Sequence, residues 1–187
     1  MQNKEAIIHG EKIVLYHGDK RHYFQTVTGK RIPSVSSITS VIGKDEILMY
    51  WAINQVKGYL LEKIEKGEQI TILDIEEATK FPRKTKEEAG DIGTQIHDWI
   101  HLWISGQNPP IPEDERVRNG VLAFLEFQDK NKIKWLETER IVYSKKHNFA
   151  GVLDAVAESK GNLVIFDFKS ANGIYKEFAL QTAGYQI

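Results

Sequence analysis

Cysteine is absent from the 187 residues of this chain. Its absence excludes a disulfide framework, a zinc site built on thiolates, an iron–sulfur cluster held by cysteine and a cysteine nucleophile. We therefore expect no iron–sulfur cofactor and no redox chemistry of the chain's own.

An excess of charge of one sign is also missing. The chain has 25 Lys and Arg residues against 26 Asp and Glu residues, with a formal net charge of −1 and an isoelectric point near 6.6. An overall basic field is therefore excluded, and nucleic-acid binding would need local basic patches.

Long hydrophobic runs are lacking as well. No run approaches the roughly 18 apolar residues that a membrane-spanning helix needs, and the polar beginning MQNKEAIIHGEK lacks the apolar segment of a signal peptide. We expect a cytoplasmic protein that makes no contact with membranes.

The length of the chain predicts a single domain over residues 1–187. In residues 1–32 the turn sequences HGDK and TGK separate short β-branched and aromatic runs, which predicts a β-hairpin or small sheet. Residues 33–131 are predicted to be mainly helical. Their helices are expected between Gly43 and Gly67, over residues 73–80, from Pro82 to Gly106 and over residues 113–130.

Residues 132–187 change to the two-residue period of β-strands. The runs WLETERIVYS, FAGVLDAVAES and NLVIFDFKS are separated by the turns KKHN and KGN, and a helix follows from about Tyr175. The pattern predicts an antiparallel meander and a closing helix. Together with the preceding elements it predicts an α+β fold with a central mixed sheet flanked by helices.

Two carboxylates, Asp154 and Asp167, fall on neighbouring strands of this meander. A turn at residues 160–161 would place them directly opposite each other, with Cβ atoms about 4.5–5.5 Å apart. A turn at residues 161–162 would instead place Asp154 opposite Lys169. Either register keeps both carboxylates on one face, and only a one-residue slip would separate them.

Carboxylates that converge on an apolar strand pair need a counter-charge, and the hard cations Mg²⁺ and Mn²⁺ bind oxygen ligands of this kind. Lys169 would then orient a water molecule beside the metal or neutralise charge on a phosphoryl group. The alternative is an exposed sheet face on which Lys169 forms a salt bridge with the two aspartates.

Four short segments extend this pattern along the chain, and a fifth is looser. The four are GTQIH at 93–97, AGVLD at 150–154, DFK at 167–169 and QTAGY at 181–185. In this order they resemble the PD-(D/E)XK nuclease superfamily, in particular its RecB-like exonuclease branch. IPSVSSITSVI, residues 32–42, is similar to the Pro-Ser-Val-Thr segment of phage and mitochondrial genome-maintenance exonucleases, with Ser36 and Ser37 where Thr is more usual.

The resemblance implies a restriction-endonuclease-like fold and a catalytic divalent cation. Asp154, Asp167 and the backbone carbonyl of Phe168 would hold the cation, and His97 would be a further ligand. The cation is expected to be Mg²⁺ or Mn²⁺.

The resemblance also assigns catalytic roles to Lys169, Gln181 and Tyr185. Lys169 would position the attacking water, while the other two would organise the active site or contact DNA. Gln181 and Tyr185 are four residues apart and share a helical face, which is equally typical of an ordinary amphipathic helix. Relatives usually continue beyond this helix, so a truncated or minimal version is expected.

Two basic clusters are candidates for nucleic-acid binding. Lys145 and Lys146 occupy the turn that leads to Asp154, and Arg83 and Lys84 lie in the run KFPRKTK. Phosphate contacts favour such clusters, but solvated loops have the same composition. DNA, single-stranded or with free ends, is the expected partner, together with a possible recombination or replication protein.

The sequence thus predicts a metal-dependent deoxyribonuclease. It is expected to be an exonuclease that hydrolyses phosphodiester bonds at DNA ends in DNA repair, recombination or phage DNA metabolism. One alternative is a DNA-end-binding or recombination-accessory module without catalysis, and another is a structure-specific or guide-associated nuclease that needs a partner protein.

Two further readings concern residues near these motifs. HDWIH resembles the zinc helix of metalloproteases through His97 and His101, but Asp98 replaces the catalytic Glu and no third ligand is identifiable. Glu139 shares a strand face with Ile141 and is a weaker candidate for the site.

Overall fold

The computed structural model describes residues 3–17, 22–43 and 45–186. The chain divides into two compact units, one formed by Met1–Ile42 with Ile96–Ile187 and one formed by Gly43–Gln95. The expectation that the chain is one nuclease domain stays a prediction.

The first unit begins with a four-stranded antiparallel sheet. Its strands, in both spatial and chain order, are β1 (Lys4–Ile8), β2 (Glu11–His17), β3 (His22–Thr26) and β4 (Arg31–Ile32). His9 and Gly10 form the first turn with φ angles of 52° and 76°, a left-handed conformation that is easiest for glycine. The prediction of β-structure here is confirmed, and β1 adds a strand to the two predicted runs.

A three-stranded antiparallel sheet follows later in the same unit. Its strands are β5 (Lys134–Ser144), β6 (Phe149–Ser159) and β7 (Asn162–Phe166). Ser159 pairs with Asn162 and Ala155 pairs with Phe166, so the turn lies at residues 160–161. This is the first of the two registers considered above. β7 nevertheless ends at Phe166, so the sequence DFK follows the strand instead of lying within it.

The α+β class is confirmed, but the expectation of one central mixed sheet is wrong. Both sheets are antiparallel, as expected where only a few residues separate consecutive strands, whereas parallel pairing needs a long crossover. In the described part of the chain the one isolated parallel bridge joins Ser34 to Ala150. The sheets share a hydrophobic core of Ile13, Leu15, Phe24, Ile32, Ile141, Tyr143 and Ala150.

Helices cover the other face of the second sheet. The helices of this unit are α1 (Val35–Thr39), the end of α3 (Ile72–Ile104), α4 (Glu115–Asn131) and α5 (Lys176–Gln186). The Ser34 hydroxyl caps α1 by accepting a hydrogen bond from the Ser37 amide at 3.0 Å. Val35 of α1 and Tyr185 of α5 pack with Leu153 and Val156 of β6 in a second core.

The second unit contains α2 (Asp45–Glu65) and residues 72–95 of α3. The sequence predicted two helices separated before Pro82, but α3 continues through this proline. Proline removes one backbone donor, and the helical residues on both sides keep their own hydrogen bonds. In residues 3–17, 22–43 and 45–186, none of the helices has the length and hydrophobicity of a membrane span.

Gly151 on β6 is required by close packing. A Cβ atom at this position would lie 2.5 Å from Cε1 of Tyr185 and 3.1 Å from Cγ2 of Val35. We expect Gly151→Ala to lower the free energy of unfolding by about 1–3 kcal/mol, because the ring of Tyr185 would have to move. Urea denaturation measures the change.

Gly90→Ala in α3 is the matched control. A Cβ atom there has no neighbour within 4 Å, so this variant should equal the wild type or gain up to about 1 kcal/mol from helix propensity. Equal unfolding free energies for Gly151→Ala and the wild type would contradict the packing argument.

Candidate functional site

Asp154 lies on β6 with its side chain 23% exposed. Its Oδ2 atom accepts a hydrogen bond of 2.6 Å from the amide of Phe168, and Nδ1 of His97 lies 3.7 Å from the same oxygen. Its backbone carbonyl accepts a hydrogen bond of 2.8 Å from the hydroxyl of Thr138. Asp154 is therefore held on both sides, by α3 and by the segment that follows β7.

Burial raises the pKa of the Asp154 carboxyl group above its usual value. The neighbouring imidazole of His97 lowers this pKa, and the nearby carboxylate of Asp167 raises it again. The charged form of Asp154 is therefore held in an unfavourable environment, and a cation beside it would relieve that cost.

Asp167 is the more buried of the two carboxylates, with its side chain 3% exposed. Its Oδ1 atom accepts a hydrogen bond of 3.0 Å from the Gln181 amide. Its Oδ2 atom lies 2.6 Å from Nζ of Lys169, yet this buried oxygen accepts no well-oriented hydrogen bond within the described residues. A buried carboxylate oxygen of this kind fits a hard cation as a ligand.

Phe168 anchors the segment between the two acidic groups. Its ring lies 5.6 Å from that of Phe124, 5.9 Å from that of Trp135 and 6.1 Å from that of His97, measured between centroids. Such edge-to-face contacts are favourable for aromatic rings. They fix the backbone whose amide binds Asp154.

Gln181 and Tyr185 reach the same carboxylates from α5. The Gln181 amide donates both to Asp167 and to the Tyr185 hydroxyl, the latter at 2.7 Å. Burial raises the pKa of Tyr185 to about 12, so the phenol is protonated at neutral pH. The predicted common face of these two residues is confirmed, and it points to the acidic site.

Two cavities flank the carboxylates. The first, here called the lysine-side cavity, has a volume of about 370 Å³, and His97, Asp167 and Lys169 are part of its wall. The second, here called the tyrosine-side cavity, has a volume of about 590 Å³, and Gln181 and Tyr185 are part of its wall. Asp167 itself lines the lysine-side cavity, and the hydrogen bond from Gln181 links the wall of the tyrosine-side cavity to the same carboxylate.

The structure brings together six of the residues that the sequence selected for the site. They are His97, Asp154, Asp167, Lys169, Gln181 and Tyr185. Among the described residues, however, no three His, Asp or Glu side chains form a ready-made metal site. His97, Asp154 and Asp167 therefore offer donor atoms of the right chemistry without a preassembled ligand set.

The basic clusters have ion-pair contacts of their own. Lys145 forms an ion pair of 2.8 Å with Glu11, and Lys146 is exposed in the same turn. Arg83 and Lys84 belong to the second unit, where Arg83 pairs with Glu87 at 2.8 Å. Their predicted role in nucleic-acid binding stays a prediction.

Glu139 and Lys4 complete the wall of the tyrosine-side cavity. They form an ion pair with each other, and Nδ1 of His101 lies 3.7 Å from the same Glu139 carboxylate. The alternation of side chains along β5 made Glu139 a candidate for the site from the sequence alone. No local pattern could have selected Lys4, because it is 135 residues away from its partner.

His97 and His101 diverge despite their helical spacing. His97 faces Asp154, whereas Nδ1 of His101 lies 3.3 Å from the hydroxyl of Thr138. The zinc-helix reading required both imidazoles on one ion with a third ligand, and the described residues contain no such group.

Comparison with known proteins gives no family assignment. No protein-family model and no curated protein matches this chain.

The raised pKa of Asp154 predicts a pH-dependent stability difference. A carboxyl group whose pKa is higher in the folded than in the unfolded state lowers the free energy of unfolding when the pH is above the folded-state pKa. This loss disappears as the pH falls below the pKa of the unfolded chain, about 3.9. We expect Asp154→Asn to increase the free energy of unfolding at pH 7 by on the order of 1 kcal/mol. At pH 3 the variant and the wild type should be equal.

Thermal or urea unfolding at the two pH values checks this expectation. Asp129→Asn on the exposed surface of α4 is the control. Its free energy of unfolding should stay within about 0.5 kcal/mol of the wild-type value at both pH values. A loss of stability in Asp154→Asn at pH 7 would show that the carboxylate is stabilising.

Proposed function

We propose that the protein is a metal-dependent deoxyribonuclease with a restriction-endonuclease-like fold, acting as an exonuclease at DNA ends. The observation that supports it best is the buried Asp167 carboxylate, which contacts Gln181 and Lys169 and lies close enough to Asp154 to raise its pKa. Two carboxylates facing a polyanion are difficult to explain in a protein that only binds DNA. They are expected where a cation joins them to the phosphate.

Asp154, Asp167, the Phe168 carbonyl and His97 would hold the divalent cation, Mg²⁺ or Mn²⁺. Such a cation polarises a phosphoryl oxygen and lowers the pKa of a bound water. Support for this assignment comes from the unsatisfied Oδ2 atom of Asp167 and from the raised pKa of Asp154. Lys169 already offsets part of the negative charge, and a divalent cation would offset the remainder.

Lys169 would place the attacking water and neutralise charge that develops on the phosphate. Its ammonium group is held between the Asp167 carboxylate at 2.6 Å and the ring of Phe178, whose centroid is 5.5 Å away. A cation between a carboxylate and an aromatic face is restricted in its motion. This restriction supports a positioning role for Lys169 in the reaction.

Gln181 and Tyr185 would orient the acidic group. The Gln181 amide binds Oδ1 of Asp167, whereas Oδ2 faces the ammonium group of Lys169 and accepts no well-oriented hydrogen bond among the described residues. Tyr185 keeps its proton at neutral pH and can donate it in a hydrogen bond to a phosphate oxygen. These contacts support an active site that is organised before substrate binds.

Degradation of end-labelled DNA tests the proposed activity. Linear single-stranded, linear double-stranded and closed circular DNA would be incubated with Mg²⁺, Mn²⁺ or EDTA. We expect metal-dependent loss of the linear substrates and protection of the circle. Asp167→Asn and Lys169→Gln should each lower the rate by at least about 100-fold, since each removes a charge that acts on the reacting phosphate.

Asp129→Asn and Lys130→Gln, two neighbouring exposed residues of α4, are the matched controls and should retain full activity. Equal rates in all four variants would assign the degradation to a contaminant. Intact DNA in every reaction, from a folded protein that binds DNA ends, would favour the accessory-module alternative.

Metal binding is expected to stabilise the fold without any substrate. At a Mn²⁺ concentration 100-fold above its dissociation constant, the gain is about 2.7 kcal/mol, or roughly 5–10 °C in melting temperature for a chain of this size. Differential scanning fluorimetry with Mn²⁺, and again after EDTA is added, measures this shift. Asp167→Asn should abolish it, whereas Asp129→Asn should not, and an equal shift in both would place the metal elsewhere.

A further inference from the structure

The tyrosine-side cavity has a polar wall that the proposed chemistry does not use. Gln181 and Tyr185 line it next to the acidic group, and a separate set of basic and hydroxyl side chains lines it as well. That set consists of Lys4, His17, His22, Ser34, Ser36, Ser37 and Ser40. The volume of about 590 Å³ is within the range of pockets that hold small ligands, about 300–1,000 Å³.

His17 is the most unusual member of this wall. Both of its ring nitrogens are shielded from solvent and have no hydrogen-bond partner among the described residues. The exposed ring of His22 packs edge-on against it, with 4.5 Å between the centroids. Buried ring nitrogens nearly always have partners, so an unpaired imidazole at a polar cavity suggests a ligand.

The charges around His17 favour an anionic ligand. Burial lowers the pKa of His17, and the neighbouring His22 and Lys4 lower it further. These three groups, on three adjacent strands, would all be stabilised by a negative charge between them. Among the described residues, Glu139 is the one carboxylate in the cavity wall, and Lys4 already pairs with it.

The serines provide neutral donors in the same cavity. The Ser34 hydroxyl lies 3.0 Å from that of Ser36 and 2.7 Å from that of Ser37. Hydroxyl protons can rotate from one acceptor to another, so this group can donate to phosphate oxygens without a change of backbone. The apolar side chains of Leu15, Phe24 and Val152 complete the wall and suit a sugar or base.

We propose that the tyrosine-side cavity binds the terminal phosphomonoester and the first nucleoside of a DNA strand. This inference rests on the proposed nuclease function and adds to it a means of recognising a strand end. His17, His22, Lys4 and the serine hydroxyls bind the phosphate. Gln181 and Tyr185 connect the pocket to Asp167, so a strand anchored here enters the acidic site.

Binding of short oligonucleotides in EDTA tests the pocket without cleavage. The probes are thymidine pentanucleotides with a 5′-phosphate, with a 3′-phosphate or with two hydroxyl ends, titrated into the wild-type chain by calorimetry. We expect one of the two phosphorylated pentanucleotides to bind at least tenfold more tightly than the pentanucleotide with two hydroxyl ends. This ratio corresponds to a difference of about 1.4 kcal/mol in binding free energy. The two phosphorylated probes distinguish which end is recognised.

The His17→Gln and His22→Gln variants should each remove this preference. His22 is exposed, so its replacement is compatible with folding, and circular dichroism checks both variants. His9→Asn is the matched control, because it removes an exposed histidine from a left-handed turn that Asn tolerates. It should keep the full preference for the phosphorylated end.

NMR titration of the wild-type imidazoles gives a readout that needs no variant. Thymidine monophosphate with its phosphate on the preferred end should raise the pKa of His17 and shift the ring resonances of His22, whereas thymidine should do neither. Equal affinities for the three pentanucleotides, or a preference that survives both histidine variants, would overturn the inference.

The two proposals fail in different ways. DNA cleavage without any preference for a terminal phosphate would refute the pocket and leave the nuclease intact. A histidine-dependent phosphate preference in a chain that cleaves no DNA would support the pocket and refute the nuclease.

Discussion

The hydrogen bond from the Phe168 amide to the Asp154 carboxylate, 2.6 Å long, joins the parts of this site. β7 ends at Phe166, so the ladder of the second sheet does not hold the following residues. These residues are held instead by the hydrogen bond to Asp154 and by the aromatic rings that contact Phe168. Asp167 and Lys169 precede and follow Phe168 in the chain, so this contact places them near Asp154 and in contact with α5.

The electrostatics of this arrangement are costly for a protein that has only to fold. Burial raises the pKa of Asp154, and a buried oxygen of Asp167 accepts no well-oriented hydrogen bond from the described residues. Lys169 offsets part of the charge through its ion pair. Sites that favour ligand binding over stability show this combination of burial and incomplete pairing.

Two cavities are lined by residues of this site, and their walls differ in chemistry. The lysine-side cavity is lined by aromatic residues and by Lys169, whereas the tyrosine-side cavity contains histidines, serines and an ion pair. Under the proposals made above, one cavity would serve the reacting phosphate and the other the end of the strand. The close approach of Gly151 to Tyr185 keeps the tyrosine in the wall of the tyrosine-side cavity.

Local rules acting within the sequence determined much of this protein. The turn sequence KGN limited β6 and β7 to two registers, of which the structure has the one with its turn at residues 160–161, and four-residue helical spacing placed Gln181 and Tyr185 on one face. Tertiary structure decided the rest, because packing and long-range pairing override local preference. It continued α3 through Pro82, divided the strands into two antiparallel sheets and brought Lys4 to Glu139 across 135 residues. Such contacts depend on how whole elements pack, which no short segment encodes.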